Sequence, residues 1–182
     1  SDPNIWTLDP SGALPDNPNN EIPDETDKVE ILSGNKVQVQ PTNDSIRIIE
    51  ADVYGRLDLT TSVGHNFGKI NGSGKILMAA DNFPRGDATN FVTKGEGEGT
   101  VEFYGSSFSL DTNRTYFDVI VNMNTSTNKL TLLDDYSING DFTIKNGVFQ
   151  INDATDNQKL NLNVKENVWV KSAGKITVGT GN

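Results

Sequence analysis

A chain of 182 residues is one domain or one segment of a repeat array, and a hydrophobic content of 34% is low for a compact globule. Its 25 Asp and Glu against 15 Lys and Arg give a net charge of −10, which argues against a nucleic-acid backbone or an anionic membrane surface as partner. There is no Cys, so neither disulfides nor thiolate zinc sites enter, and no apolar run approaches the ~18 residues of a membrane span.

The opening "SDPNIWTLDP" lacks the charged-then-apolar pattern of a signal peptide, so any signal is expected to have been removed, or the chain to be a segment of a longer one. Residues 1–27 are predicted to form an irregular N-terminal cap: six of the seven prolines lie in the first 41 positions, and the first apolar pair is Val29 and Ile31. A solenoid needs its first coil covered, and Trp6 is the residue expected to cover it.

From residue 28 onward one phrase recurs: Gly or Asn, any residue, apolar, any, apolar. It occurs at Asn35 (Val37, Val39), Gly55 (Leu57, Leu59), Gly74 (Ile76, Met78), Gly99 (Val101, Phe103), Asn128 (Leu130, Leu132), Gly147 (Phe149, Ile151) and Gly174 (Ile176, Val178). The residue between the apolar pair is polar in every case but Leu77, which is the alternation of a strand with one buried face. The average interval, about 23 residues, is that of one solenoid coil. The late stretches "KLTLLDDYSINGDFTIKNGVFQI" and "KLNLNVKENVWVKSAGKITV" read as three short strands per turn with corners at Gly and Asn. The prediction is an all-β chain: a right-handed parallel β-helix of about six to seven coils over residues 28–182, continuing beyond the last residue. A β-sandwich is the alternative, since short strands with frequent turns suit it too.

Between the repeats lie the residues that could carry chemistry. His65, in "SVGHNFG", is the single histidine, and without a Gly-x-Ser-x-Gly elbow it makes no serine triad; it is expected to be a turn residue. "RGD" at Arg85, Gly86 and Asp87 lies in the long insertion "AADNFPRGDATNF", a loop position suited to partner contact, as are the loops expected around residues 104–116. "GEGEGTVEFYG", residues 95–105, has glycines two apart, but a dinucleotide loop needs a different third spacing and a helix after it, whereas Val101 and Phe103 here continue as a strand. Acidic candidates for polysaccharide cleavage are Glu96, Glu98 and Glu102, Asp134 with Asp135, and Asp153 with Asp156. Hydrolysis requires two carboxylates at a set separation, and elimination a base beside charge neutralisation of the uronate. Solvated loop and strand positions account for all of them as well. No calcium loop motif matches, so no cofactor is assigned, and structural calcium has no motif behind it.

The opening Asp2, Pro3 and Trp6, followed by Asp27, Val29, Ile31, Gly34, Val37 and Val39, resembles the phrases "W-S-D-P-x-x-W" and "D-x-V-x-I-x-x-G-x-x-V-x-V" of β-helical segments in large secreted surface proteins of the Bacteroidota. "GTVEFYGSS", "YSINGDFTIKNGVFQIN" and "GKITVG" are similar to the coils of those proteins. The resemblance implies a long, multidomain parent exported by type IX secretion, of the adhesin and gliding-motility kind. It also gives "DSI", Asp44 to Ile46, as an O-glycosylation pattern on Ser45. The function expected is a non-catalytic structural or adhesive rod at the cell surface, touching surface glycans or another surface or secretion protein, with no nucleic acid and no membrane insertion. A polysaccharide-degrading β-helix lyase or hydrolase and a passive spacer are the alternatives. An enzyme would gather three or more charged or aromatic residues in one lateral groove, and a smooth polar wall would exclude it.

Overall fold

The computed structural model describes Thr7 and residues 22–40, 45–151 and 160–179. Within them the chain runs through β1 (Lys28–Ile31), β2 (Lys36–Gln38), β3 (Glu50–Val53), β4 (Arg56–Asp58), β5 (Asn66–Asn71), β6 (Lys75–Met78), β7 (Arg85–Asp87) and one short helix, α1 (Thr89–Val92). It continues through β8 (Thr100–Gly105), β9 (Phe108–Leu110), β10 (Arg114–Tyr116), β11 (Asp118–Met123), β12 (Lys129–Leu132) and β13 (Tyr136–Ile138). The last described strands are β14 (Phe142–Ile151), β15 (Leu162–Val164) and β16 (Val168–Val178). Neighbouring strands pair parallel, with partners from successive coils, in three sheets ordered β1-β3-β5-β7, β10-β13-β15, and a long wall led by β2-β4-β6-β8-β11-β14. The chain is a β-solenoid of about six turns. A sandwich is built from antiparallel ladders, and the pairings here leave no room for one.

The long wall shows why the phrase recurs. Val37, Leu57, Ile76, Val101, Val119, Phe142 and Val168 lie in register across seven strands. A second stack, Phe108, Leu130, Phe149 and Ile176, runs beside it. The seven phrases therefore divide: those at Asn35, Gly55, Gly74 and Gly99 open the first stack, and those at Asn128, Gly147 and Gly174 enter the second. They do not form one series. From β8 onward each coil bends twice along the wall, and both bends place the same demand on sequence, a tight corner followed by alternating inward apolar residues. β14 and β16 each cross both stacks, with a register shift after Ile144.

Inward residues are buried along the whole axis, from Ile31 and Val53 through Ile76, Phe103 and Leu130 to Phe149. Each such side chain contributes about 1.5–3 kcal/mol relative to exposure. The insertion between β7 and β8 joins this core: Phe91 of α1 is fully buried, and a Cβ on Gly99 would overlap its ring. Glycine at 99 is thus required by close approach. Glu98 closes the preceding turn at φ 54, its Oε1 accepting the Gly95 N–H at 2.8 Å. "GEGEG" is a corner that follows a helix and feeds a strand, the reverse of a phosphate loop. At β16, which among the described residues pairs with β14 alone, Val168, Trp169 and Val170 are each about half exposed. Of the cap expected over residues 1–27, Trp6 and all but Thr7 and residues 22–27 lie outside the described residues, and β1 starts at Lys28.

Candidate binding groove

Where β1, β3 and β5 turn into β2, β4 and β6, the corners stack, and several are glycine or serine. Small corners leave a recess of about 510 Å³ lined by Tyr54 and by the first residues of β2, β4 and β6. Those first residues are Lys36, Arg56 and Lys75, paired in register. Ser33, Ser73 and Thr100 are also among the lining residues, and Tyr54 is 45% exposed beside it.

Three cations on adjacent strands repel one another at a spacing of about 4.8 Å unless counter-charges intervene. Lys36 meets Asp58 at 2.9 Å, and Lys75 meets Glu102 at 2.6 Å. Each carboxylate stands on the next strand, two residues along. The corresponding place for Arg56 is taken by Leu77, and among the described residues Arg56 has no ion pair. Both carboxylates are nearly buried and multiply held. Asp58 also accepts the Tyr104 hydroxyl at 2.7 Å and the Thr60 N–H at 3.1 Å. Burial, then the bond to Asp58 and its charge, raise the Tyr104 phenol. Burial pushes Glu102 upward, but the bonds from Lys75 and Asn122 and the charges of Lys75 and Lys145 outweigh it and hold its carboxyl below the ordinary value. Folding stability from Glu102 is thus present above the usual carboxylate pKa and lost as pH falls through the lowered one.

The predicted site residues fall elsewhere. Arg85, Gly86 and Asp87 are not a loop tip: they form β7 and pair with β5 on the side wall, because the insertion resumes the parallel ladder before leaving it. All three are exposed, and the Asp87 carboxylate accepts the Thr89 N–H at 3.0 Å and its hydroxyl at 2.6 Å. Ser45 is exposed, next to residues outside those described. The loops expected around 104–116 are largely strands β8, β9 and β10, and Tyr116 is buried in the core.

Asp134 and Asp135 stitch coils together: Asp134 accepts the Asn113 N–H at 3.1 Å and Asp135 the Asn161 N–H at 2.7 Å. Glu96 is an exposed turn residue, and Asp153 and Asp156 lie outside the described residues. Among the described residues no group of three or more His, Asp or Glu is gathered to hold a metal ion.

His65 is no exposed turn residue. It is 1% exposed, stacked on Phe67, with Nδ1 accepting the Ile46 N–H at 3.1 Å. Burial lowers its pKa from 6.5, with the Ser62 carbonyl opposing. The unfolded chain then binds a proton that the folded one refuses, so stability falls as pH drops below 6.5 and levels off below the folded value. Denaturation midpoints measured between pH 7.5 and pH 5 are expected to show this slope in the parent and to lose His65's share of it in His65→Gln; an unchanged slope would contradict it.

The groove was missed because its cations sit in the first variable position of the repeated phrase, while the alternation lies in the second. Aligning the phrases gives Lys36, Arg56, Lys75, Lys129 and Lys175 in that first position, and only the stacking of the coils shows that the first three stand side by side. Comparison of the chain with family models, curated proteins and solved structures returns no match.

Proposed function

We propose that this chain is a structural and adhesive module of a secreted or cell-surface protein, a stiff rod whose lateral surface contacts surface glycans or another surface or secretion protein. The observation that supports the reading is the recess built on stacked corners: Tyr54, Lys36, Arg56 and Lys75 line it while the apolar residues of the same strands fill the core behind, as suits a binding surface on a solenoid. The resemblance to type IX secretion substrates favours the same setting.

Polysaccharide cleavage is the second reading, because Tyr54, Lys36, Arg56 and Lys75 do converge on one lateral groove. Weighing against hydrolysis, both carboxylates beside the groove are committed to a lysine, and general acid-base work needs one carboxyl free to gain and lose a proton. The test is to incubate the protein with a panel of neutral and acidic polysaccharides, measuring retention on the matrix together with new reducing ends and unsaturated products. Retention without products is expected. Products would establish an enzyme, and neither retention nor products would leave a spacer.

A further inference from the structure

We infer that the corner groove is a binding site for a linear acidic polysaccharide, with a carboxylate or sulfate of one sugar seated on the Arg56 guanidinium. This deepens the adhesive reading and rests on it. The row Lys36, Arg56, Lys75 carries three positive charges on a protein of net charge −10, and among the described residues two carboxylates form ion pairs with them. Leu77 stands where the third would be, so among the described residues the middle cation faces the recess without a counter-charge. A guanidinium between two ammonium groups is stabilised by an external anion that accepts its forked N–H donors.

The surroundings choose the rest of the ligand. The hydroxyl-bearing residues Ser33, Ser73 and Thr100 and the half-exposed Tyr54 in the lining suit a hydroxyl-rich chain with apolar sugar faces. The continuation of the row, Thr100 and then Asp118, ends the positive stretch after three coils. Overall acidity opposes a polyanion that wraps the molecule, whereas a linear chain aligned with the coil stack meets the one cation row.

Affinity is measured by calorimetry for polygalacturonate, chondroitin sulfate, neutral dextran and single-stranded DNA, with the parent, Arg56→Gln, Leu77→Glu and Lys129→Gln. Lys36 and Lys75 are left intact because removing either would strand a nearly buried carboxylate. At least one acidic polysaccharide is expected to bind, more weakly as salt rises, and Arg56→Gln to lose roughly 10- to 100-fold with an unchanged thermal melt. Leu77→Glu supplies the missing internal counter-charge and is expected to lose as much while keeping Arg56. Lys129→Gln, on an exposed site at another strand, should bind like the parent. Polygalacturonate against chondroitin sulfate separates carboxylate from sulfate recognition. Equal binding by Arg56→Gln, equal binding of dextran, or tighter binding of DNA would overturn the inference. If acidic polysaccharides bind and Arg56→Gln is silent, the groove assignment fails and the adhesive reading survives. If no polysaccharide is retained at all, this inference and the glycan-binding form of the adhesive reading both fail.

Discussion

Phe103→Ala is expected to destabilise the fold by about 3–5 kcal/mol and to lower Tm on the order of 10 °C. Phe103 is 1% exposed and sits where the two inward stacks of the long wall meet. Its ring lies edge-on to Tyr116, with centroids 5.9 Å apart, and is tilted against Phe108 at 6.1 Å. Tyr116 in turn carries Phe83 and Tyr136, so the ring at 103 ties the insertion to the later coils. Truncation opens a cavity lined by flat rings, which are held by backbone ladders above and below and have little freedom to collapse into it. Phe103→Leu keeps most of the apolar volume and should recover most of the loss. Equal losses for both variants in chemical denaturation would show that ring packing is not what the site contributes.

The solenoid was legible because stacking in register repeats the same local demand in every coil. A corner needs a small or left-handed residue, and the two residues facing the axis must be apolar, so Gly74-Ile76-Met78 and Gly147-Phe149-Ile151 look alike. That same likeness concealed the second stack, since a phrase describes a corner and not which corner. Helix α1 was invisible for the opposite reason: four residues give no period, and Phe91 is buried through contact with Gly99 and Phe83, not through alternation. His65 between Gly64 and Gly68 reads as a turn, yet the ladder through β5 draws its ring beneath the Ile46 N–H. The groove needs the register itself. Lys36, Arg56 and Lys75 are distant in sequence, and only the pairing of β2, β4 and β6 places them side by side.

The acidity of the chain also finds a physical place. Asp118 accepts the Asp141 N–H at 2.7 Å, and Asp141 accepts the Asn167 N–H at 3.0 Å, a ladder of side chains climbing the corners that β11, β14 and β16 leave. Corner backbone groups have no sheet partner, and a carboxylate from an adjacent coil satisfies them with a charge-assisted bond. The bonds from Asn167 hold the Asp141 carboxyl below its ordinary value, whereas burial raises that of Asp118. Carboxylates that looked like catalytic candidates in the sequence are, at Asp134 and Asp135, members of this same stitching. The cation row differs from them in kind: its lysines answer side chains, and its arginine answers nothing within the described residues.

Gly72→Ala is expected to cost roughly 2–6 kcal/mol, the sum of backbone strain and overpacking. Gly72 holds φ 98 at the corner between β5 and β6, and a Cβ there would overlap the carbonyl oxygen of Val53 in the coil before. The obstacle is backbone, which cannot swing aside as a side chain can. That carbonyl already accepts the Gly74 N–H at 2.7 Å, so relieving the overlap means lifting one coil off its neighbour at the groove. Gly34 provides the contrast: it too is left-handed, at φ 87, but a Cβ there meets nothing within 4 Å. Gly34→Ala should therefore cost only the conformational part, about 1–2 kcal/mol. Urea denaturation of the two variants separates the terms, since the excess loss in Gly72→Ala measures how tightly adjacent coils are pressed together. If the two variants lose equal stability, the coils yield to a methyl group without resistance, and the close stacking that shapes the groove floor is not what holds this corner.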